Sequence, residues 1–218
     1  CPLLEVTDTG SPHPEVVAAG ADLRTDVSRY RVFRDGECTD EPTDISQYWR
    51  ADLVAFLLGC SFTFEWALAS AGLPLAHQDQ GTNVPMYVTD RRCVDAGPFR
   101  GPLVVSMRPF TPTDVPRVGE ITARFPAMHG APVHVGDPAA LGTTDLAAPD
   151  FGDPVSIGAN QVPVFWACGV TPQAVVQQAR PSLAIVHSPG HMFITDRRHD
   201  HYDCSSRTTE LTMPGGES

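Results

Sequence analysis

The chain has 218 residues, 42% of them hydrophobic, with 15 basic residues against 26 acidic ones and a formal net charge of −11. It is long enough to bury a sizeable core, and its acidity excludes the electrostatic footprint of a nucleic-acid or anionic-lipid binder. All 15 basic residues are arginine, which excludes every mechanism that needs a lysine amine: Schiff-base aldolases, pyridoxal-phosphate enzymes and P-loop nucleotide hydrolases.

Residues 1–44 are rich in Pro, Gly, Asp and Thr, with one extended segment, "RYRVFRDGE", in which Asp35-Gly36 reads as a turn. In "DISQYWRADLVAFLLG" the residues Ile45, Trp49, Leu53, Phe56 and Leu57 fall near helical spacing, with Gly59 as a stop. A second helix is expected over "SFTFEWALASAG", from a Ser61 cap to Gly72, so that the two form a helical hairpin. "GPLVVSM" reads as a buried strand, "PTDVPRVGEITARF" as a helix and "GAPVHVG" as another strand. A Gly/Asp/Pro-rich stretch follows, and residues 101–157 are expected to form a small α+β unit inserted into a larger one.

"QVPVFWACG" reads as an apolar strand, "VTPQAVVQQA" as a helix with Thr171 as cap and Pro172 in its first turn, and "PSLAIVH" as another strand. Strand, helix and strand predict a right-handed βαβ crossover with parallel strands. Cys168 and His187 would then share the carboxyl edge of one sheet, where open α/β sheets bind ligands. The expected fold class is α/β, a layered main domain over residues 1–100 and 158–198 with the smaller α+β domain at 101–157 and a polar tail at 199–218.

The six cysteines, Cys1, Cys38, Cys60, Cys93, Cys168 and Cys204, show no C-x-x-C pair and no dense spacing. That favours a reducing compartment, hence a cytoplasmic protein, over a disulfide framework. No stretch approaches the roughly 20 apolar residues of a membrane span, and no signal peptide is recognisable. A chain opening on Cys1 leads us to expect that an N-terminal portion is missing from the main domain.

Several groups could do chemistry. The strand-to-helix turn at Cys168, Gly169 and Thr171 offers free N–H groups as a seat for a carboxylate or oxyanion, and could lower the Cys168 pKa toward a nucleophile. The same cysteine at the end of a core strand is equally a buried structural residue. His187 and His191 flank Ser-Pro-Gly, a tight turn that keeps the two rings near each other without a helix. They suit acid/base work or substrate hydrogen bonding. A metal pair would need a third ligand from Asp196, His129 or His134, none at diagnostic spacing, and H-E-x-x-H does not occur. His134 alternates with Val133 and Val135 on a strand and faces a cleft or solvent, and it and His129 are candidates for substrate contact. Arg108, expected just past a strand end, suits a bidentate carboxylate clamp or a surface ion pair. Glu65 in an early helical turn suits the helix dipole, or a general acid/base role with a raised pKa. Asn83 and Tyr87 in "GTNVPMY" could reach a ligand, although Asn-Val-Pro is also ordinary turn chemistry.

Taken together, "CPLLEVTDTG", "WRADLVAFLLGCSFTFEWAL", "GTNVPMY", "GPLVVSMRP", "RFPAMHGAPVHVGDPAALG" and "VPVFWACGVTPQAVV" followed by "HSPGHMFITD" resemble the "putative hydro-lyase" family that includes mitochondrial D-glutamate cyclase. The resemblance runs in order over nearly all of residues 1–198 and stops at the tail. It implies an α/β protein with a smaller second domain, and a lyase of amino-acid metabolism that removes water. For D-glutamate cyclase the reaction is closure of D-glutamate to 5-oxo-D-proline. The chemistry, rather than the resemblance, assigns Arg108 to the α-carboxylate, Gly169 to Thr171 to the oxyanion and the His187/His191 pair to proton transfer. No cofactor and no metal are demanded by that scheme. The expected partner is a small carboxylic or amino acid, with a homo-oligomer left open. Other readings are a hydratase or dehydratase of another small carboxylic acid, a metal-dependent hydrolase, and a non-catalytic carboxylate-binding protein.

Overall fold

The computed structural model describes residues 1–205. Strand β1 (Leu3–Val6) pairs antiparallel with β4 (Phe56–Leu58) in a two-stranded ribbon. Strands β2 (Tyr30–Arg34) and β3 (Glu37–Asp40) form the expected hairpin. Its two turn residues, Asp35 and Gly36, both have positive φ, 49° and 83°, the condition that makes Asp-Gly suit a tight hairpin turn. The free edge of β2 is taken by β9 (Ala184–His187), with Tyr30 opposite His187.

The second sheet has the order β5-β6-β8-β7, from β5 (Met86–Arg92), β6 (Pro102–Phe110), β7 (His134–Val135) and β8 (Val162–Ala167). Its strands lie on both sides of residues 101 and 157. Among the described residues four α-helices accompany the sheets: α1 (Phe62–Ser70), the short α2 (Ala76–Asp79), α3 (Val115–Ala123) and α4 (Thr171–Ala179). None is long and apolar enough to cross a membrane.

Strand alternation divides the core. Val105 and Met107 of β6 join Phe165 of β8 on one face, packed with Tyr87, Leu141 and Val155. On the other face Phe110, Val164 and Trp166 pack under Phe64 and Leu68 of α1 and Val118 and Ile121 of α3. Val104, on that same face, packs with Met86, Cys168, Val170 and Ala174 at the start of α4. Between these two apolar groups the alternation leaves Ser106 and Arg108, and both are fully buried. They form the polar floor of the candidate site.

Two expectations are corrected. Residues 44–59 do not form a helix: a single 3₁₀ turn, Ser46–Tyr48, is followed by extended chain and β4. Thr7 and Gly10 donate backbone hydrogen bonds to Ala55 and Leu53, so tertiary pairing with the N-terminal segment overrides the helical spacing, and no helical hairpin exists. Nor is there a parallel βαβ crossover. Both edges of β8 are occupied, by β6 and β7, so β9 crosses to the other sheet and pairs with β2. Every strand pairing among the described residues is antiparallel.

Candidate active site

The polar floor is built by two periodicities. On α1 the positions of Ser61 and Glu65 share a face, and on β6 Ser106 and Arg108 share a face. Arg108 donates from Nε to Glu65 Oε1 at 2.7 Å and from Nη2 to the same oxygen, while its other donors reach Ser106 Oγ at 3.0 Å and Ser61 Oγ at 3.1 Å. Its guanidinium lies 5.3 Å from the Phe64 ring centre and 5.4 Å from that of Trp166. Glu65 also accepts from Gln78 Nε2 at 2.8 Å and has His77 Nε2 at 3.3 Å. Burial by itself would raise the Glu65 carboxyl, but Arg108 and His77 outweigh it and hold the group below the ordinary value. The expectations are corrected in part: Arg108 lies inside β6 and not past its end, and grips an internal carboxylate, while Glu65 stands in the first turn of α1 as expected but as an anion held for that guanidinium, without the raised pKa of the acid/base reading. Ser61 stands before α1 as expected, yet its hydroxyl serves Arg108 and makes no side-chain cap bond.

Above this floor two Gly/Cys corners meet. A Cβ on Gly59 would stand 1.8 Å from the Ala127 carbonyl oxygen, so only glycine lets the chain segment before His129 pass. His129 then lies with Nε2 at 2.9 Å from the Gly59 carbonyl, and the position a Gly169 Cβ would take is 3.5 Å from that carbonyl and 3.9 Å from Nε2. A carbonyl can only accept, so Nε2 carries the proton and Nδ1 is the bare lone pair. Nδ1 is buried and has no hydrogen-bond partner. Burial is the main reason the His129 pKa falls from 6.5 to about 4, which leaves the imidazole neutral at ordinary pH. The residue adopts φ 76°, a left-handed conformation uncommon for a non-glycine residue and one that collects at functional sites.

Cys60 and Cys168 line the corners as well. Burial pushes Cys168 up to about 11 and raises Cys60, the opposite of what a ready thiolate nucleophile requires. Thr171 opens α4 rather than capping it. Its hydroxyl donates to the Cys168 carbonyl at 2.8 Å and accepts from Val104 N at 3.1 Å, fastening the helix start to β6.

The His187–His191 turn sits beyond the first turn of α4. Gly190 takes φ 82°, and His191 N donates to Ser188 O at 2.9 Å, closing the turn. His187 Nδ1 reaches the Ser188 carbonyl at 2.8 Å, and His191 Nδ1 lies 2.9 Å from Ser28 Oγ. Burial, chiefly, lowers the His187 pKa, with a smaller contribution from His191. Asn83 belongs to this group: its Nδ2 is 3.2 Å from where a Gly190 Cβ would stand. Gln173 Nε2 donates to the His187 carbonyl at 2.9 Å. The first turn of α4 thus has the His129 corner at its start and the His187–His191 turn at its side.

Other expected residues stand apart. Tyr87 is buried, donates to Leu146 O at 2.8 Å and is pushed up to about 12 by burial. His134 Nε2 reaches the Asp137 carbonyl at 2.7 Å, and the ring packs on Phe165. Asp196 is held by its backbone N–H on Val17 O, and among the described residues no three His, Cys, Asp or Glu side chains are grouped to hold a metal. A surface concavity of about 560 Å³ lies elsewhere, lined by Trp66, Arg117, Glu120, Arg124 and Asp203. Arg124 and Asp203 pair there at 3.1 Å, and Arg124 Nε is buried without a partner; the start of α4 instead brings together two orphan acceptors, His129 Nδ1 and Gln173 Oε1. Sequence reasoning missed Ser106, His77, Gln78 and Gln173. Ser106 alone carried a signal, its two-residue spacing from Arg108 on a strand.

The profile of the D-glutamate cyclase family matches residues 54–196. A protein named "Putative hydro-lyase" from Rubrobacter xylanophilus is 68% identical over 203 residues, covering 93% of this chain and 78% of that protein. Proteins of the same name from Streptomyces coelicolor and Bacillus velezensis are 59% identical over 202 residues and 56% identical over 200 residues. They cover 93% and 92% of this chain and 73% and 76% of their own lengths.

Proposed function

The chain belongs to the D-glutamate cyclase family, whose members bear the name of lyases, and on that premise we propose that it dehydrates a small amino or hydroxy acid, most concretely closing D-glutamate to 5-oxo-D-proline. In that reaction the neutral α-amine forms a bond to the carbon of the protonated side-chain carboxyl, the C–OH bond breaks, and the hydroxyl leaves as water with one proton from the amine. The reaction needs a neutral base, an oxyanion seat and exclusion of bulk water. The observation that carries the reading is His129 Nδ1, a buried lone pair without a partner, on a ring whose Nε2 lies 3.9 Å from the position a Gly169 Cβ would take.

In this scheme His129 Nδ1 takes the amine proton and returns it to the departing oxygen. The N–H groups of Gly169 and Val170 at the start of α4 receive the substrate oxygen. Arg108 and Glu65 hold the floor, and His187, His191 and Asn83 form the far wall. The test is incubation of the protein with D-glutamate and, separately, L-glutamate, following 5-oxoproline by chiral chromatography. Selective conversion of the D-form is the expected result. No conversion of either sinks this substrate and sends the search to other small hydroxy and amino acids.

Gly169→Ala probes the seat itself. Gly169 has no positive φ, and the new methyl would meet nothing closer than 3.5 Å, so the melting temperature should hold. The methyl would stand against the hydrogen-bonded Gly59 O and His129 Nε2, 3.5 and 3.9 Å away, and we expect kcat/KM to fall at least about tenfold through misplaced substrate. Unchanged kinetics would remove the substrate from this corner.

A further inference from the structure

Gln173 is 2% exposed, in the first turn of α4. Its Nε2 donates to the His187 carbonyl at 2.9 Å. That carbonyl can only accept, so the amide cannot be flipped, and the other end of the group is necessarily the oxygen. Oε1 is buried and has no hydrogen-bond partner. Buried polar side-chain atoms are satisfied in the great majority of cases, and an exception calls for an explanation. Cα–Cβ bonds in a helix tilt toward its N-terminus, which carries the Gln173 amide toward the Gly169 end. The other orphan at this helix start, His129 Nδ1, is also an acceptor. A ligand whose oxygens sit on the N–H groups of the helix start must therefore present hydrogen-bond donors, such as the N–H groups of an amine, to its flanks.

We propose that Gln173 is the specificity-determining residue for the substrate's amino group, its Oε1 accepting an N–H that a plain dicarboxylate lacks. This rests on the reading of the α4 start as the substrate site. It adds a second acceptor to that site: His129 takes a proton, whereas Gln173 holds the nitrogen in place.

The test compares binding of D-glutamate and of glutarate, the same skeleton without the amine, by calorimetry on the full chain and on Gln173→Met and Gln173→Glu. Wild type is expected to prefer D-glutamate by ten- to a hundredfold, the range of a hydrogen bond to a charged group. Gln173→Met should bring the two affinities together while glutarate binding stays within about twofold. Gln173→Glu keeps an acceptor oxygen and should retain the preference. It also serves as the readout if the methionine variant does not fold. Two results overturn the assignment: a preference that survives in Gln173→Met, or one that disappears in a folded Gln173→Glu. Wild type that binds neither compound refutes the glutamate reading on which the assignment stands, a result distinct from wild type that binds both and discriminates without Gln173.

Discussion

His129→Gln is expected to lower turnover by about two orders of magnitude or more while leaving the fold in place. The glutamine amide nitrogen can take the place of Nε2 and continue to donate to the Gly59 carbonyl, now served at 2.9 Å. What it cannot supply is Nδ1, the lone pair that no protein group uses. The backbone at φ 76° is strained for either side chain, so the exchange is close to neutral there. With the imidazole lowered to about 4, the base is already neutral well below pH 7, and the acid limb of kcat/KM should fall near pH 4 with a plateau above about pH 5. The linked effect on stability has a definite sign. Between the ordinary value of 6.5 and about 4 the unfolded histidine binds a proton that the folded one refuses. This group's contribution is therefore complete above pH 6.5 and is lost progressively as pH falls to about 4. Turnover that survives in His129→Gln but disappears in His187→Gln would move the proton transfer to the other wall.

The sequence made some of this arrangement legible. The Asp35-Gly36 turn, the strands around Val104 and Val164, and the helices at 62–70, 115–123 and 171–179 follow from local patterning, because their periodicity and turn residues agree with the tertiary environment. Residues 44–59 misled because Ile45, Trp49, Leu53 and Leu57 satisfy a helical period while the chain gains more from pairing with Thr7 and Gly10. The parallel crossover misled for a different reason: no local feature says that both edges of β8 are already taken. At the site, the strand-to-helix turn pointed to Gly169, and His129 was a candidate for substrate contact. Its importance became visible only with the Gly59 carbonyl fixing the tautomer. Arg108 was singled out correctly as a carboxylate-gripping residue, but the carboxylate is Glu65, 43 positions away in sequence, a pairing that no spacing rule predicts.

That pair carries the largest expected effect on stability. Arg108 has a fully buried side chain and Glu65 one that is 4% exposed, so removing either partner strands a charge in a medium that cannot solvate it. Arg108→Met should cost about 3–5 kcal/mol in urea unfolding, and Glu65→Leu a similar amount. Replacing both together should recover most of the loss, because an apolar pair of similar volume pays no desolvation penalty. Phe64 and Trp166 already pack against the guanidinium and can accept such a pair. Because Arg108 and His77 hold the Glu65 carboxyl below its ordinary 4.5, the wild-type contribution is present above that value. It is lost as pH falls through the lower folded value, and the Arg108→Met/Glu65→Leu variant should lack that acid limb. If the single changes cost less than about 1 kcal/mol, the pair is solvated and the buried floor is wrong. A double variant that folds as stably as wild type separates architecture from chemistry. Retained turnover would make the ion pair a scaffold for the Gly59 and Gly169 corners, whereas lost turnover would show that a fixed cationic floor beneath them is needed for the water-losing step.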